Sequence, residues 1–351
     1  MGLIALWGPP DDQEVMALAK RLKNRGAEAV NINLAEFPGK LGLRFSGQGV
    51  FLNDLPLLDI SASFMRNRGG RMPWYIQYDK KMLVENPEKW RGLYKDYQNY
   101  ITEEKSNQRL RHSLLYLLAA KSPVINPLYQ NNLHRLKSYL FYYLRKKGIP
   151  VPDFICSSHA FTMKDFAQKQ FSKGPGAVIK PLAGIYKTKL WSASDWDNHD
   201  WQTRAAFYQS YIPGDTIRCY VVDDVFAAAA RIVHQGTVDS SMSQTGIEVL
   251  DLPCEAKTMA LSTAKALGLR FCGMDLMHDK NSGRYYVIDC NMSPMFVNFS
   301  RLSAVDIPAM IAEMLMKISG QEAPKRIKGL LGDLKSLLAD DVGLRQKLEG
   351  R

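Results

Sequence analysis

The sequence has 351 residues, of which 46% are hydrophobic and 23% are charged, and its formal net charge is +11. This composition is typical of a globular chain with two or three domains, and no apolar run reaches the ~18 residues that a bilayer-spanning helix needs. Five scattered cysteines without a Cys-x-x-Cys pair indicate free thiols, so we expect a cytoplasmic protein in a reducing compartment.

The first third of the chain predicts an α/β domain with a parallel sheet. Residues 2–7 and 29–34 have the apolar pattern of buried strands, and the spacing of apolar residues in 11–25 is that of a helix. A strand, a helix and a second strand in this order form a β-α-β unit. The other elements predicted here are a hairpin at residues 41–51, a strand at 60–66 and a largely helical segment at 72–121.

Positive charge is concentrated between Arg66 and Lys147, where 17 basic and 6 acidic residues give a net charge of +11. An anionic partner, such as a phosphorylated ligand or an acidic peptide, would explain this basic block, and so would a solvated helical surface without a partner. Binding of nucleic acid would use the block with Tyr94, Tyr97 and Tyr100. Because no recognised nucleic-acid motif is present, we do not expect that partner.

The rest of the chain predicts helices and antiparallel hairpins after a boundary near residues 122–127. Asp223-Asp224 and residues 279–283 have the composition of hairpin turns. The predicted helices are 129–147, 162–171, 253–267, 304–318 and a basic tail helix at 326–350. The predicted strands are 154–157, 177–180, 207–212, 217–222, 225–232, 271–277 and 285–291.

Three oxygen-bearing side chains in the last hairpin predict a metal site. Alternation along the strand puts Asp289 and Asn291 on one face, and the hairpin can set Asp275 on that face opposite them. Two carboxylates and an amide oxygen close together would repel without a cation, and hard oxygen ligands of this number suit Mg²⁺. For any single carboxylate, a hydrogen-bonded structural role explains the residue better than a metal site does.

Several cationic residues predict an anion site. Lys180 ends an apolar strand, and a buried lysine needs an anionic partner such as a phosphate. Arg218 and Arg231 lie on successive strands of a hairpin and could reach phosphate oxygens with their planar guanidinium groups. Lys137 lies in the middle of a predicted helix, where a lysine is usually a surface residue. The strand Gln209-Ser-Tyr-Ile212 could offer backbone groups to a flat heterocycle.

Nine short segments between residues 122 and 318 together resemble one known family. They are Val124-Ile-Asn126, the helix with Lys137, Gly148-Ile-Pro-Val-Pro152, Val178-Ile-Lys180-Pro181, Gln209-Ser-Tyr-Ile212, Ile217-Arg218-Cys-Tyr-Val-Val222, Ala229-Ala-Arg231, Gly273-Met-Asp275-Leu276 and Asp289-Cys-Asn291-Met-Ser293-Pro294. In this order they resemble the ATP-grasp family, in the branch of ribosomal-protein glutamate ligases and glutathione synthetases. Residues 31–38 and the strand ending at Arg66 also look like the leading domain of the ATP-grasp maturases that crosslink ribosomal peptides.

The resemblance implies a fold with an α/β parallel-sheet domain in front of an α+β ATP-grasp part, whose two subdomains clamp ATP. The implied divisions are a pre-grasp domain with the basic helical segment at 1–121, a small ATP-grasp subdomain at 122–206, a C-terminal subdomain at 207–320 and a helical tail at 321–351. The implied reaction is ATP-dependent joining of a carboxylate to an amine through an acyl-phosphate. Homo-oligomers are common in similar families.

The resemblance also implies a role for each candidate residue. Lys137 and Lys180 would hold the nucleotide phosphates, and Arg218 and Arg231 would face the γ-phosphate and the acyl-phosphate. Asp215 would bind the ribose. The hinge that reads adenine would be Gln209, Ser210, Tyr211 and Ile212. The ligands of one or two Mg²⁺ ions would be Asp275, Asp289 and Asn291.

This chain departs from the family pattern at three places. The family usually has Glu where Asp289 stands, and Asp is one methylene shorter, which predicts a looser metal site. The acidic ribose residue normally precedes the Ile-Arg pair directly, but Thr216 stands there and Asp215 one residue earlier. The phosphate-covering loop is usually rich in glycine, whereas Pro181–Lys187 contains one, so Lys187 and Lys189 could take over part of its role.

The sequence is consistent with three hypotheses about function. The first is a carboxylate–amine ligase whose acceptor or donor is a peptide or protein, which the basic block favours. The second is a biosynthetic ligase for small molecules, similar to glutathione synthetase. The third is an ATP-binding module without catalysis, which the shorter Asp289 and the glycine-poor loop would explain.

Overall fold

The computed structural model describes residues 2–67, 87–126, 136–180, 182, 188–192, 205–234 and 244–320. The described residues form two compact units, the first made of residues 2–124 and 315–320 and the second of residues 125–314. The predicted divisions at residues 122, 207 and 321 are finer than these units and stay predictions. The predicted tail helix at 326–350 lies outside the described residues.

A parallel sheet forms the centre of the first unit, as the β-α-β pattern predicts. The elements are β1 (Leu3–Trp7), α1 (Gln13–Asn24), β2 (Ala29–Ile32), β3 (Leu43–Ser46), β4 (Gly49–Leu52), β5 (Leu55–Pro56), β6 (Ile60–Met65), α2 (Pro87–Lys121) and β7 (Val124–Ile125). The sheet order is β2-β1-β6-β7, and β1 is parallel to both β2 and β6. The predicted hairpin at 41–51 is confirmed, and β3, β4 and β5 form a small antiparallel sheet.

The second predicted strand is shorter than expected, because Leu34 begins a short 3-10 turn. The side chain of Asn33 caps this turn by accepting a hydrogen bond from the Ala35 N–H at 3.1 Å. Part of the basic block lies in α2, where Arg111 forms an ion pair with Glu104 at 2.5 Å. Of the helices in the described part of the chain, none combines the length and apolar character that a bilayer crossing requires.

The second unit contains two antiparallel sheets. Its elements are α3 (Lys137–Lys146), β8 (Phe154–Ser157), α4 (Ala160–Phe171), β9 (Ala177–Lys180), β10 (Lys189–Trp191), β11 (Ala206–Ser210), β12 (Gly214–Val222), β13 (Val225–His234), β14 (Gln244–Val249), α5 (Cys254–Ala266), β15 (Phe271–Asp279), β16 (Tyr285–Asn291), α6 (Val297–Ser303) and α7 (Ile307–Ile318). The smaller sheet has the order β10-β9-β11-β8, and the larger has the order β14-β13-β12-β15-β16. Residues of α3, α5, β11 and the larger sheet share one buried apolar core.

Several predicted boundaries in the second unit are wrong. The helix expected at 129–147 begins at Lys137 in the described residues, because Leu136 has a non-helical backbone with φ −96° and ψ 59°. Lys137 is therefore the first residue of α3 and not a mid-helix residue. The helix expected at 304–318 begins at Ile307, since Ala304 has φ 57° and ends α6. Strands β10 and β14 and helix α6 were not predicted.

Candidate active site

Three candidate residues form a row across the larger sheet. Arg218 on β12 lies opposite Asp275 on β15, and Asp275 lies opposite Asp289 on β16. Residues opposite each other in antiparallel strands point to the same face, so the three side chains share one face of the sheet. Asn291 lies two residues beyond Asp289, opposite Gly273, and points to this face as well. The structure therefore brings together the three predicted metal ligands and one predicted phosphate residue.

A β-bulge in β16 creates this arrangement. From the hairpin turn as far as Leu276, which pairs with Val287, the register is regular, but Asp275 pairs with Asp289 and leaves Ile288 as the extra residue. An extra residue reverses which face the following side chains point to. Val287 before the bulge and Cys290 after it are both fully buried, as this reversal requires.

The ammonium groups of two lysines lie beside Asp289. Lys180, the last residue of β9, is 7% exposed, and its Nζ donates to the carbonyl oxygen of the bulge residue Ile288 at 2.5 Å. Its Nζ also lies 5.6 Å from the centre of the Phe141 ring. Lys137 Nζ is 3.5 Å from Asp289 Oδ1. Ammonium groups from α3 and from the smaller sheet therefore converge on the edge strand of the larger sheet.

The pKa values of these groups reflect burial and mutual charge. Burial lowers the pKa of Lys180 to about 8, a shift that Asp289 opposes and Lys137 reinforces. Burial would raise the pKa of Asp289, but the charges of Lys137 and Lys180 outweigh it and hold this pKa below its ordinary value. Asp275 raises the pKa of Arg218, whose guanidinium therefore stays charged. Three cations face two carboxylates, which leaves one positive charge for an anionic ligand.

Arg218 and Asp275 form a two-pronged ion pair. Arg218 Nε donates to Asp275 Oδ1, and Arg218 Nη2 donates to Asp275 Oδ2 at 2.9 Å. The side chains are 29% and 15% exposed, so water screens the pair only in part. Parallel hydrogen bonds of this kind are among the stronger polar contacts in proteins.

The donor set at this face fits a hard divalent cation. Asp275 and Asp289 supply carboxylate oxygens, and Asn291 Oδ1 is oriented by the backbone N–H of Ser293 at 2.9 Å. Such oxygens suit Mg²⁺, which commonly binds through one or two carboxylates together with substrate phosphates. Within the described residues, no group of three or more His, Cys, Asp or Glu side chains could hold a metal ion, so the amide and external ligands would have to complete the set.

The predicted adenine hinge begins within β11, a buried strand of the smaller sheet, and continues past its end. Gln209 is 4% exposed, and its Oε1 has no hydrogen-bond partner among the described residues. The Ser210 N–H donates to the Asp153 carbonyl at 2.7 Å and is therefore not available to a heterocycle. Tyr211 and Ile212 are half-buried between β11 and β12. Their adenine role stays a prediction.

The structure separates Asp215 and Arg231 from the row. Arg231 lies opposite Ile217, whereas Arg218 lies opposite Ala230, so the two arginines point to different faces of the sheet. Arg231 Nε donates to Glu248 at 3.1 Å, and its Nη1 is 3.6 Å from Asp215. The resemblance implies that Arg218 and Arg231 face the γ-phosphate and the acyl-phosphate, but side chains on opposite faces of the sheet do not reach one bound nucleotide together.

One residue that organises this site received no role from the sequence. Asn126 is 1% exposed, and its Nδ2 donates to the carbonyl oxygens of Phe271 at 2.5 Å and Met292 at 2.8 Å. Its Oδ1 accepts from the N–H groups of Arg270 and Phe271, both at 3.1 Å. One amide thus ties the start of β15 to the end of β16. The feature of the sequence that could have indicated this role is an isolated polar residue directly after the apolar pair Val124-Ile125.

Curated proteins similar to this chain include one named as a ligase and one named as a synthase. A "Probable alpha-L-glutamate ligase" from Shewanella loihica is 32% identical over 106 residues, which cover 30% of this chain and 35% of that protein. "Beta-citrylglutamate synthase B" from Danio rerio is 23% identical over 193 residues, which cover 52% of this chain and 47% of that protein. The chain spans between about a third and a half of the length of these curated relatives.

Solved structures match almost the whole chain. The ATP-grasp ligase PsnB complexed with a minimal precursor has a TM-score of 0.72 and 25% identity, covering 90% of this chain and 98% of that one. The macrocyclase MdnC from Microcystis aeruginosa, bound with precursor peptide MdnA, has a TM-score of 0.69 and 20% identity, covering 90% and 100%. At this identity the second match shows the fold alone.

The family of RimK-like ATP-grasp domains matches residues 135–315, which is more than half of the chain. The matched range contains the whole row on the larger sheet together with Lys137 and Lys180. The parallel-sheet unit, which precedes the matched range in the sequence, and the mixed α/β architecture agree with the ATP-grasp ligase structures. The chain belongs to the RimK-like ATP-grasp family.

Proposed function

We propose that this protein is an ATP-dependent, ADP-forming carboxylate–amine ligase. The observation that carries the proposal is the convergence of Lys137, Lys180 and Arg218 on the paired carboxylates Asp275 and Asp289. Fixed cations beside carboxylates on a rigid sheet are suited to binding a triphosphate together with a divalent cation. Such a site stabilises charge at the reacting phosphoryl group and needs no protein nucleophile.

Each cation has a defined place in the proposed reaction. Lys137 and Lys180 hold the phosphates of ATP, and Arg218 faces the γ-phosphate. We retain the hinge as the proposed adenine contact. Because Asp215 and Arg231 lie on the face of the sheet away from Arg218, we give both of them a structural role together with Glu248.

Asp275, Asp289 and Asn291 would hold one or two Mg²⁺ ions. When bound, Mg²⁺ would offset the negative charge that develops on the transferred phosphoryl group. A solved structure of PsnB contains Mg and ADP with a variant of its minimal precursor, which supports the same ligand set for this fold.

The proposed reaction has two chemical steps. A substrate carboxylate oxygen attacks the γ-phosphorus of ATP, the bond to the β-phosphate oxygen breaks, and ADP leaves with the formation of an acyl-phosphate. A substrate amine then attacks the acyl carbon, loses a proton, and expels inorganic phosphate to leave an amide. Positioning and charge stabilisation supply most of the rate, and the loss of one such group costs roughly 10²- to 10³-fold.

A peptide or protein substrate is the proposal that the structural comparisons favour. PsnB and MdnC have both been solved with precursor peptides. The basic block between Arg66 and Lys147 would attract an acidic peptide. A small-molecule ligase is the second candidate, because one curated relative is named beta-citrylglutamate synthase B.

A screen of ADP release tests the proposed activity. Purified protein, ATP and Mg²⁺ would be offered acidic peptides, amino acids and small carboxylic acids, and ADP formation above background should depend on one of these classes. Asp275→Ala should abolish that dependent signal. Nucleotide binding without ADP formation on any class would identify a non-catalytic ATP-binding module instead, and a fully active Asp275→Ala variant would contradict the metal assignment.

A further inference from the structure

The paired arginine and carboxylate of the row present a conflict for metal binding. Both oxygens of Asp275 accept hydrogen bonds from Arg218, and Asp275 lies opposite Asp289 at the centre of the proposed cation site. A guanidinium at this position neutralises one of the two carboxylates that would attract a metal ion. It also repels any divalent cation that approaches Asp275, since the pair is shielded from water on most sides.

We infer, on the basis of the proposed function, that Arg218 is an exchangeable counter-ion, which holds Asp275 until an anionic phosphate and a metal ion arrive together. The anion would draw the guanidinium away from the carboxylate, and the freed carboxylate would accept the cation. Arg218 is then a coupling residue for two ligands as well as a phosphate contact.

The charges around the row support this exchange. Asp289 already faces Lys137, and Lys180 lies beside it, so Asp275 and Arg218 are the remaining members of a site with one excess positive charge. Arginine suits an exchange of partners because its planar fork binds carboxylate and phosphate oxygens with the same geometry. The expected consequence is weak binding of a divalent cation without nucleotide and mutual strengthening of the two ligands.

Mn²⁺ alone is a suitable probe, because its binding can be followed by electron paramagnetic resonance without turnover. In Arg218→Gln the repulsion is absent, and we expect Mn²⁺ to bind at least about tenfold more tightly than in the wild type. The same variant should bind metal-free ATP, measured in the presence of a chelator, about tenfold more weakly because a charged phosphate contact is lost. A residue with only a structural role would weaken both ligands.

Two further variants separate charge from general damage. Arg270→Gln breaks a comparable pair with Asp223 at the end of the same sheet, 2.8 Å between Nε and Oδ1, and should leave Mn²⁺ affinity unchanged. Arg218→Lys keeps the positive charge, so its Mn²⁺ affinity should stay within about twofold of the wild type. If Arg218→Gln does not fold, Arg218→Met is the alternative variant with an uncharged side chain at this position. Thermal unfolding checks that each variant is folded.

The outcomes distinguish this inference from the proposed function. Asp275→Asn should abolish Mn²⁺ binding if the metal site is correctly placed, and a variant that binds Mn²⁺ normally would refute that site. If Asp275→Asn loses Mn²⁺ but neutral substitutions at Arg218 leave Mn²⁺ affinity unchanged or reduce it, the site stands and the exchange of partners is wrong. Equal tightening in Arg218→Lys and Arg218→Gln would also overturn it, because charge would not be the cause.

Discussion

Asp275 and Asp289 lie directly opposite each other on neighbouring strands, and the bulge residue Ile288 makes this pairing possible. Two carboxylates at this spacing repel unless each has a cation. Asp275 is paired with Arg218, and Asp289 is flanked by Lys137 and Lys180. The carboxylates therefore have different partners, which predicts different effects when each is neutralised.

Neutralising Asp275 should destabilise the fold as well as remove the proposed metal ligand. Asp275→Asn leaves the guanidinium of Arg218 without its charged partner, and because the pair is only partly buried we expect a loss of about 1–2 kcal/mol in the free energy of unfolding. Urea unfolding followed by circular dichroism measures this loss.

Asp215→Asn is the matched control for that measurement. Asp215 pairs with Lys280 at 3.1 Å and Arg231 at 3.6 Å, but these cations are 61% and 41% exposed, so we expect a cost below about 0.5 kcal/mol. Equal losses in Asp215→Asn and Asp275→Asn would show that the pair with Arg218 adds no special stability.

Lys180 should take up a proton when ATP binds. Its pKa of about 8 in the free protein is below its ordinary value, so half of the ammonium groups are neutral near pH 8. A triphosphate raises this pKa, and at pH 8 we expect uptake of up to about half a proton per site. Calorimetry of ATP binding in buffers with different ionisation enthalpies measures the uptake, which should disappear in Lys180→Met.

The same pKa makes a prediction for stability against pH. The unfolded chain binds more protons at Lys180 than the folded chain between pH 8 and its ordinary pKa of 10.5. The burial penalty is therefore fully present below pH 8 and is relieved as pH rises through this window. Compared with Lys180→Met, the wild type should gain stability from pH 8 to 10, and a constant difference between the two proteins would refute the shift.

The sequence predicted the strands that carry the site and a shared face for Asp275, Asp289 and Asn291, but it did not reveal the bulge on which this shared face depends. Alternation correctly placed Asp289 and Asn291 on one face. In a regular hairpin without a bulge, however, Asp289 would pair with Met274, and its side chain would point into the apolar core. Only the extra residue at Ile288 brings it opposite Asp275. Bulges depend on packing of both strands, so residue composition near Ile288 does not reveal one.

Contacts between residues far apart in the chain also could not be predicted from local sequence patterns. The ion pair of Arg218 with Asp275 and the bonds of Asn126 to Phe271 and Met292 join residues far apart in sequence. Hairpin neighbours were predictable because turn residues mark them, as at Asp223-Asp224, where Asp223 has φ 56°. The register of β12 against β13 decides that Arg231 faces away from Arg218, and turn composition alone does not determine that register.

The close approach of β12 to β15 should make Gly214 intolerant of a side chain. A Cβ at Gly214 would lie 1.8 Å from the carbonyl oxygen of His278, which belongs to the paired strand and cannot move independently. Gly214→Ala should therefore cost at least about 2 kcal/mol in the free energy of unfolding. Gly246→Ala on β14 is the control, since nothing lies within 4 Å of its added Cβ, and it should change stability far less. Equal thermal unfolding midpoints would contradict the close approach.

Asn126 should support both the fold and the proposed metal site. Asn126→Ala leaves two buried carbonyls and two N–H groups of the β15 and β16 ends without this partner, and we expect a loss of about 3 kcal/mol in the free energy of unfolding. Asn126→Asp can still accept from the N–H groups but cannot donate to the carbonyls, so it should also destabilise. Asn33→Ala removes the exposed cap of a short turn and should cost less than about 1 kcal/mol.

The effect of Asn126 on the site is measured separately from its effect on the fold. Phe271 and Met292 flank the strand segments that hold Asp275 and Asn291, so loosening their ends should spread the carboxylate and amide oxygens apart. At a temperature where Asn126→Ala is still folded, its Mn²⁺ affinity should fall several-fold, whereas Asn33→Ala should bind Mn²⁺ as the wild type does. Unchanged Mn²⁺ affinity in a folded Asn126→Ala would show that the amide stabilises the strands without positioning the ligands.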